Sequence, residues 1–359
     1  MSLTVSMTIM VASFRQSLDD WLDRMLPADV YVRAGGASDT AYLSPEAQRQ
    51  IARTAGLKRV EFLRNTLLRL DPARAPVSLL ARDLDRDDPA ARLPLVSPTP
   101  LSPALAAQAG QPPPVWVSEL VRDVYGLDPG EIVALPLAGR QTAFMVAGVW
   151  RDYARQNGAL VIEREVYAEL TGDETVTDAA LWLNPGITAV AVEQQLRDAL
   201  PGGEWLDIAR PDQIRALSLR IFDRSFAATY ALEAAAILIG LFGLSSSLSA
   251  QVLARRREFG MLRHLGMTRR QIGTMLTLEG LLTSAIGLLV GGALGTLLSL
   301  ILIHVVNRQS FHWGMALHVP WMALGGFGLA MLALAMLTAL LSARQAMGGE
   351  VVRAVREDW

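Results

Sequence analysis

Charged residues are frequent up to Arg224 and then thin out into three long apolar runs. Residues 234–254, 280–307 and 309–343 carry no Asp, Glu, Lys or Arg. A run of about 18 or more such residues fits a transmembrane helix. Spans are predicted near 228–251, 281–305 and 320–342. As soluble helices they would have no polar face to turn to water. A fourth apolar run, Leu3 to Phe14, opens the chain with 12 residues. That is about 18 Å of helix, against about 30 Å of hydrocarbon core. No basic start marks it as a signal peptide, and the first charge, Arg15, follows the run. It is read as a partial first span, residues 1–14, and continuation upstream of Met1 is favoured over a genuinely short helix.

Between the first run and the others the pattern is mixed α/β. Strands are predicted at 28–34, 58–64, 77–83, 114–119, 131–137, 141–150, 159–163, 178–184 and 204–209. A helix is predicted at 44–56, with Ser44 as N-cap, Pro45 at the first position and Gly56 beyond its end. Another runs from about Thr188 to Leu200 and stops at Pro201-Gly202-Gly203. Residues 85–114 hold eight of the eighteen prolines and read as a connection. The predicted fold is an α-helical membrane protein of four transmembrane helices, the first apparently truncated. Its large extracytoplasmic α+β domain is an α/β lobe with an inserted β-rich lobe. The predicted divisions are 1–14 (partial span), 15–225 (outer domain, β-rich lobe about 114–165), 226–252 (span), 253–280 (cytosolic hairpin), 281–306 (span), 307–319 (outer loop), 320–343 (span) and 344–359 (cytosolic tail).

Arginines set the orientation. The loop at 252–271 has six, the loop at 306–319 has only Arg308, and the tail has Arg344, Arg353 and Arg356. Short loops rich in Lys and Arg stay in the cytoplasm, so 252–271 and the tail face inward and 15–225 faces outward. Trp313 and Trp321 are expected at the outer interface. A reporter fused after Ala81 should read outside and one after Thr268 inside; an inside signal at Ala81 would overturn this orientation.

Composition removes several chemistries. Without cysteine there are no disulfides, thiol nucleophiles or cysteine-bound metals. The only lysine, Lys58, does not stand in a phosphate-binding Gly-x-x-x-x-Gly-Lys loop, so the chain binds no ATP in that way. The four histidines form no metal-binding helix motif. His312 and His318 are read as interfacial residues, not ligands. A net charge of −2 gives no sign of nucleic acid. No catalytic residue, cofactor or metal is predicted. Glu233 and Glu279, near the ends of their spans, are expected to reach an interface or a bundle partner, with substrate or proton handling as the alternative.

Two patterns stand out. In the third span Thr283, Gly287, Gly291, Gly295 and Ser299 recur every four residues, a seam for close helix approach. Gly291→Leu is expected to weaken assembly without blocking insertion. The second is the basic hairpin. Its first helix is expected to continue from the second span through His264. Gly266 ends it in the left-handed conformation, and Thr268 with Gln271 forms a capping box for the next helix. Arg255, Arg256 and Arg257 suit topology and lipid headgroups. Phe259, Met261, Leu262 and Leu265 form an apolar stripe that wants a partner.

"RRREFGMLRHLGMTRRQI" resembles the coupling segment of the FtsX/MacB-like permeases of ABC transport systems. The matching positions are Arg257, Glu258, Gly260, Leu262, Arg263, Gly266 and Ile272, and Phe259 replaces the commoner branched aliphatic. Residues 117–153, 307–313 and the C-terminal stretch 342–358 are similar to the family as well. The resemblance implies a separate cytosolic ABC ATPase docking on Arg257, Glu258, Phe259, Gly260, Met261, Leu262, Arg263, Leu265, Gly266, Met267, Thr268 and Gln271. It also implies a second permease half or a homodimer partner, contact with membrane lipid, and an extracytoplasmic protein or lipid substrate. The chain would couple ATP hydrolysis to movement of its outer domain for lipid, lipoprotein or peptide export or extraction, or for mechanotransmission. A sensor or scaffold without an ATPase is the main rival, and an enzyme in the outer domain a third reading.

Overall fold

The computed structural model describes residues 2–35, 41–84, 90, 92–96, 111–200 and 206–348. Most of the proline-rich connection, the Pro201-Gly202-Gly203 stop, Arg353 and Arg356 lie outside them. The chain divides into a sheet domain, Gln16–Phe222 with Asn307–Gly314, and a helical unit formed by the rest.

The sheet domain contains β1 (Val30–Ala34), α2 (Pro45–Ala52), β2 (Leu57–Leu68), β3 (Val77–Arg82), β4 (Pro114–Ser118), α3 (Glu119–Tyr125), β5 (Ile132–Leu137), β6 (Arg140–Trp150), β7 (Ala159–Glu163), α4 (Arg164–Thr171), β8 (Asp178–Leu183), α5 (Ala189–Ala199) and β9 (Leu206–Ala209). It also receives the last turns of α1 (Ser2–Met25) and most of α6 (Pro211–Ser225). The strands form one mixed sheet in the order β5-β6-β4-β7-β3-β2-β8-β1-β9. The strands expected as an inserted β-rich lobe are therefore one end of this sheet, joined to the rest by the parallel pair β3–β7.

Each strand reads according to what covers it. β7, Ala-Leu-Val-Ile-Glu, is buried at every position. Leu160 and Ile162 join Phe144, Val146 and Val121 on one face, while Ala159 and Val161 join Trp116 and Trp150 on the other. A strand covered on both faces has an unbroken apolar sequence. β1, β2 and β8 alternate: Val30, Val32, Val60, Phe62 and Leu181 face Ile51 of α2 and Leu196 of α5, and polar residues take the other face. α2 is capped as expected by Ser44, which accepts from the Ala47 amide. It ends at Ala52, short of Gly56, which instead leads into β2 at φ +91°. Glu119, read as the end of a strand, opens α3, with Ser118 as its N-cap. α3 and α4 are about two turns each, too short to show a period of their own.

The helical unit holds the start of α1, α7 (Ala227–Ala254), α8 (Arg256–His264), α9 (Arg269–Ile301) with a π-helical turn Leu302–Val306, and α11 (Trp321–Gly348). α10 (Asn307–Phe311) follows the π turn and belongs to the sheet domain. Among the described residues, three helices are long and apolar enough to cross a membrane: Ala227–Ala254, Arg269–Ser310 and Trp321–Ser342. α1 extends beyond its apolar part, through a polar second half to Met25. Its first half packs in the helical unit. Ile9 is fully buried, Thr8 bonds Glu233, Phe14 meets Phe226 at 5.6 Å, and Ser13 bonds the His318 backbone. Ser249 and Ser342 join α7 to α11 at 3.0 Å.

Candidate functional site

The basic hairpin is built by a break, a left-handed turn and a cap. α7 does not run on into α8 as expected. It stops at Arg255, whose φ of −94° and ψ of 11° depart from the helix. The Arg255 side chain turns back to bond Glu279 of α9 at 2.8 and 2.9 Å and Glu258 at 2.9 Å, so it fastens the two arms together. Gly266 has φ +95°, the conformation a C-terminal glycine supplies. The Thr268 hydroxyl then accepts from the Gln271 amide at 3.3 Å, and the Gln271 side chain accepts from the Thr268 amide at 2.8 Å. This is the reciprocal cap read from the sequence.

The apolar stripe divides. Phe259, expected to be exposed, is 2% exposed and packs with Val252, Ile272 and Leu276. Its ring also lies under the Arg255 guanidinium at 5.7 Å. The break at Arg255 is what lets α8 fold this ring onto α9. Leu262 and Met267 border the same cluster. Met261 and Leu265 point away, 63% and 82% exposed. Arg257, Glu258, Thr268 and Gln271 are exposed as well, while Gly260 and Arg263 are intermediate. One face of the hairpin thus fixes it to α9, and the other offers two bare apolar side chains amid charge.

The small-residue seam divides in the same way. Gly291, Gly295 and Ser299 are buried, whereas Thr283 and Gly287 are exposed. A Cβ at Gly295 would stand 2.6 Å from the Val5 Cβ and 2.7 Å from the Ser2 carbonyl oxygen. The buried end of the seam therefore receives α1 of the same chain. A Cβ at Gly287 meets nothing within 4 Å. Gly295→Leu should destabilise the monomer by dislodging α1, and Gly287→Leu should leave melting unchanged and weaken only self-association or pairing with another permease half. Equal effects of both on monomer melting would remove the distinction. The two carboxylates have bundle partners: Glu233 accepts from Thr8 and Glu279 from Arg255.

A second constellation, missed in the sequence, lies within the sheet domain. Glu119, 7% exposed at its side chain, accepts from Arg151 at 2.9 Å and from the Gly314 amide at 3.2 Å. Tyr153 donates to the Gly314 carbonyl at 2.8 Å, and its ring meets Trp313 edge-on at 4.7 Å and Trp21 of α1 at 5.9 Å. Trp21 donates to the Arg151 carbonyl at 2.9 Å. Trp313, expected at the outer interface, is part of this clasp. A Cβ on Gly314 would meet the Arg151 guanidinium at 2.9 Å, so the segment docks at a residue without a side chain. Burial, helped by the nearby Glu119 charge, pushes the Tyr153 pKa up to about 12, so the phenol keeps its proton at neutral pH. No periodicity or motif signals this site, because its members come from four separate stretches of chain.

His312 lies 3.9 Å from Asp123. Among the described residues, no three His, Asp or Glu side chains converge as a metal site.

Residues 231–351 match the model of the FtsX-like permease C-terminal domain. Over 324 residues, 88% of this chain, the sequence is 31% identical to an uncharacterized ABC transporter permease protein of Mycobacterium tuberculosis, of which the match covers 37%. It is 21% identical over 186 residues to an uncharacterized ABC transporter permease of Methanocaldococcus jannaschii, covering 50% of this chain and 46% of that protein. The chain spans less than half the length of these relatives. Among solved structures, the periplasmic region of MacB from Actinobacillus actinomycetemcomitans aligns over 54% of this chain and 94% of its own, at 16% identity and a TM-score of 0.38. The extracellular domain of the noncanonic ABC-type transporter YknZ from Gram-positive bacteria aligns over 51% and 100%, at 10% identity and a TM-score of 0.36. Scores of this size register a loose likeness only. The sequence matches are stronger: residues 231–351 are similar to the FtsX-like permease C-terminal domain, and most of the chain is similar to part of an ABC transporter permease.

Proposed function

We propose that the chain is a permease subunit whose hairpin, Arg255 to Gln271, docks a separate cytosolic ABC ATPase and whose long helix α9 carries the resulting motion to the sheet domain. One observation carries the reading: Met261 and Leu265 are bare on a hairpin whose opposite face is anchored by Phe259 and Arg255. An apolar knob on an anchored base transmits force, because the buried Phe259 ring resists its displacement relative to α9. At its other end α9 continues through the π turn into Asn307–Gly314, the segment held by Glu119 and Tyr153. A π turn inside a long helix is a recurrent feature of functional sites.

In this reading the first half of α1 is a fourth span, supported by its burial against Gly295 and its bond to Glu233. The exposed Thr283 and Gly287 suit a second permease half or a second copy of the chain. The sheet domain acts on an extracytoplasmic substrate of the lipid, lipoprotein or peptide class. The test is copurification with, and stimulation of, a cytosolic ABC ATPase co-expressed with this chain. Wild type should bind it, and a chain lacking both apolar knobs should not.

A further inference from the structure

The polar face of the sheet carries a group of charges that the coupling path does not use. Tyr31 on β1 and Glu61 on β2 both lie opposite Ala180 of β8. Arg59 lies opposite Trp182, and Arg82 of β3 lies opposite Leu63. Side chains alternate along a strand, so Tyr31, Arg59, Glu61, Arg82 and Trp182 share one face across four adjacent strands, each pair about 4.8 Å apart. Arg92, from the connection after β3, reaches the same group. Arg59 and Arg92 both bond one oxygen of Glu61, Arg92 at 2.5 Å. Both guanidiniums also stack on Trp182, at 5.1 and 5.2 Å.

Arg59 and Arg92 thus converge on a single carboxylate, and Arg82 lies on the same face one strand over. Glu61 is already shared by Arg59 and Arg92. Arg82 makes no ion pair or hydrogen bond with any described residue. Burial holds its pKa below the usual arginine value; the Glu61 charge opposes this and the Arg92 charge adds to it. The Tyr31 hydroxyl accepts from the Ala28 amide at 2.9 Å, and burial pushes its pKa up to about 12. It stays protonated and keeps a donor to offer. The excess of two positive charges matches a phosphate monoester, which carries about −1.5 to −2 at neutral pH, better than a carboxylate or a diester with one charge. Arginine forks suit phosphate oxygens, and a tryptophan face holds the forks in place.

We propose that this face is a binding site for a phosphate monoester group, held by Arg82 and Arg92 with Tyr31 as a further donor. Inorganic phosphate and the headgroup of phosphatidic acid both present this chemistry. Asp85, Asp87 and Asp88 follow Arg82 in the sequence, so their neutralisation separates an external anion from an internal one.

The test is calorimetric titration of the full chain in a neutral detergent at pH 7.5, with ionic strength matched by sodium chloride. One arm adds sodium phosphate, the other dihexanoyl phosphatidic acid. Saturable binding in both arms supports a site for the phosphate group itself, and binding of the lipid alone supports a headgroup site. Arg82→Gln and Arg92→Gln should each weaken binding at least tenfold. The exposed Arg140→Gln should not, and Glu61→Gln should tighten binding by removing the internal competitor. Thermal melting of each variant without ligand verifies folding, and Arg92→Gln serves if Arg82→Gln does not fold. The proposal is overturned if wild type shows no saturable binding in either arm, if Arg140→Gln weakens it as much as Arg92→Gln, or if binding arises only after Asp85, Asp87 and Asp88 are changed to Asn.

Discussion

Leu265→Asp should abolish copurification of the partner ATPase while the protein remains in the membrane at wild-type level. Leu265 is 82% exposed in this chain, so aspartate there costs the fold almost nothing. Buried against a partner the same carboxylate would be unpaired, and breaking apolar contact with an uncompensated charge costs several kcal/mol. Even about 4 kcal/mol is roughly a thousandfold in affinity. Met261→Asp should act in the same direction. Phe259→Ala should behave differently, because its ring fills the cluster of Val252, Ile272 and Leu276. A cavity left by a buried phenylalanine costs about 3–5 kcal/mol, so this variant should melt earlier and lose docking indirectly. Gly266→Val should also fail, since a β-branched side chain at φ +95° is strained. Arg255→Ala should do least: its ion pairs are 40–55% exposed at their side chains, where such pairs are worth about 1 kcal/mol or less. Copurification and ATPase rate at matched expression are the measurements. Wild-type docking by both aspartate variants would reduce the hairpin to a topology signal.

Glu119→Ala should release the Asn307–Gly314 segment and, on the proposed function, uncouple ATP hydrolysis from the sheet domain without preventing ATPase docking. Glu119 is the shared acceptor for Arg151 and the Gly314 amide. Its removal leaves a partly buried guanidinium and an amide without that partner, a loss on the order of 3 kcal/mol. Hydrogen exchange at His312 to Gly314 should speed by at least tenfold, and the melting temperature should fall. Glu165→Ala, on the exposed side of α4, is the control and should change neither. Unchanged exchange in Glu119→Ala would show that Tyr153 and Trp313 hold the segment alone, and the carboxylate would lose its place in the transmission path.

Local features were legible where one stretch of chain supplies both the signal and its satisfaction. The capping box at Thr268 and Gln271, the left-handed Gly266 and the Ser44 cap were all readable, since each closes within about four residues. Three apolar runs were readable for the same reason. The break at Arg255 was not; the carboxylate its side chain turns to, Glu279, lies 24 positions away. Nor was the burial of Phe259: an apolar residue on a basic helix looks the same from sequence whether it faces a neighbouring helix or water. The regular seam from Thr283 to Ser299 hid a division, and only the position of α1 shows that Gly295 is occupied while Gly287 is open.

The sequence by itself determined which segments are apolar enough to enter a membrane, which loop is basic, the order of the strands and of two helices along the outer region, and the chemistry the chain lacks. These follow from composition and period, which act over one or two turns or a few strand positions. Tertiary structure alone decided that the inserted strands continue one sheet, that Trp313 joins Tyr153, that Glu119 serves both Arg151 and Gly314, and that Arg59 and Arg92 share Glu61. Each of these joins residues far apart in the chain. Such partners are selected by the register of distant strands and the burial of distant faces, for which a linear pattern holds no record.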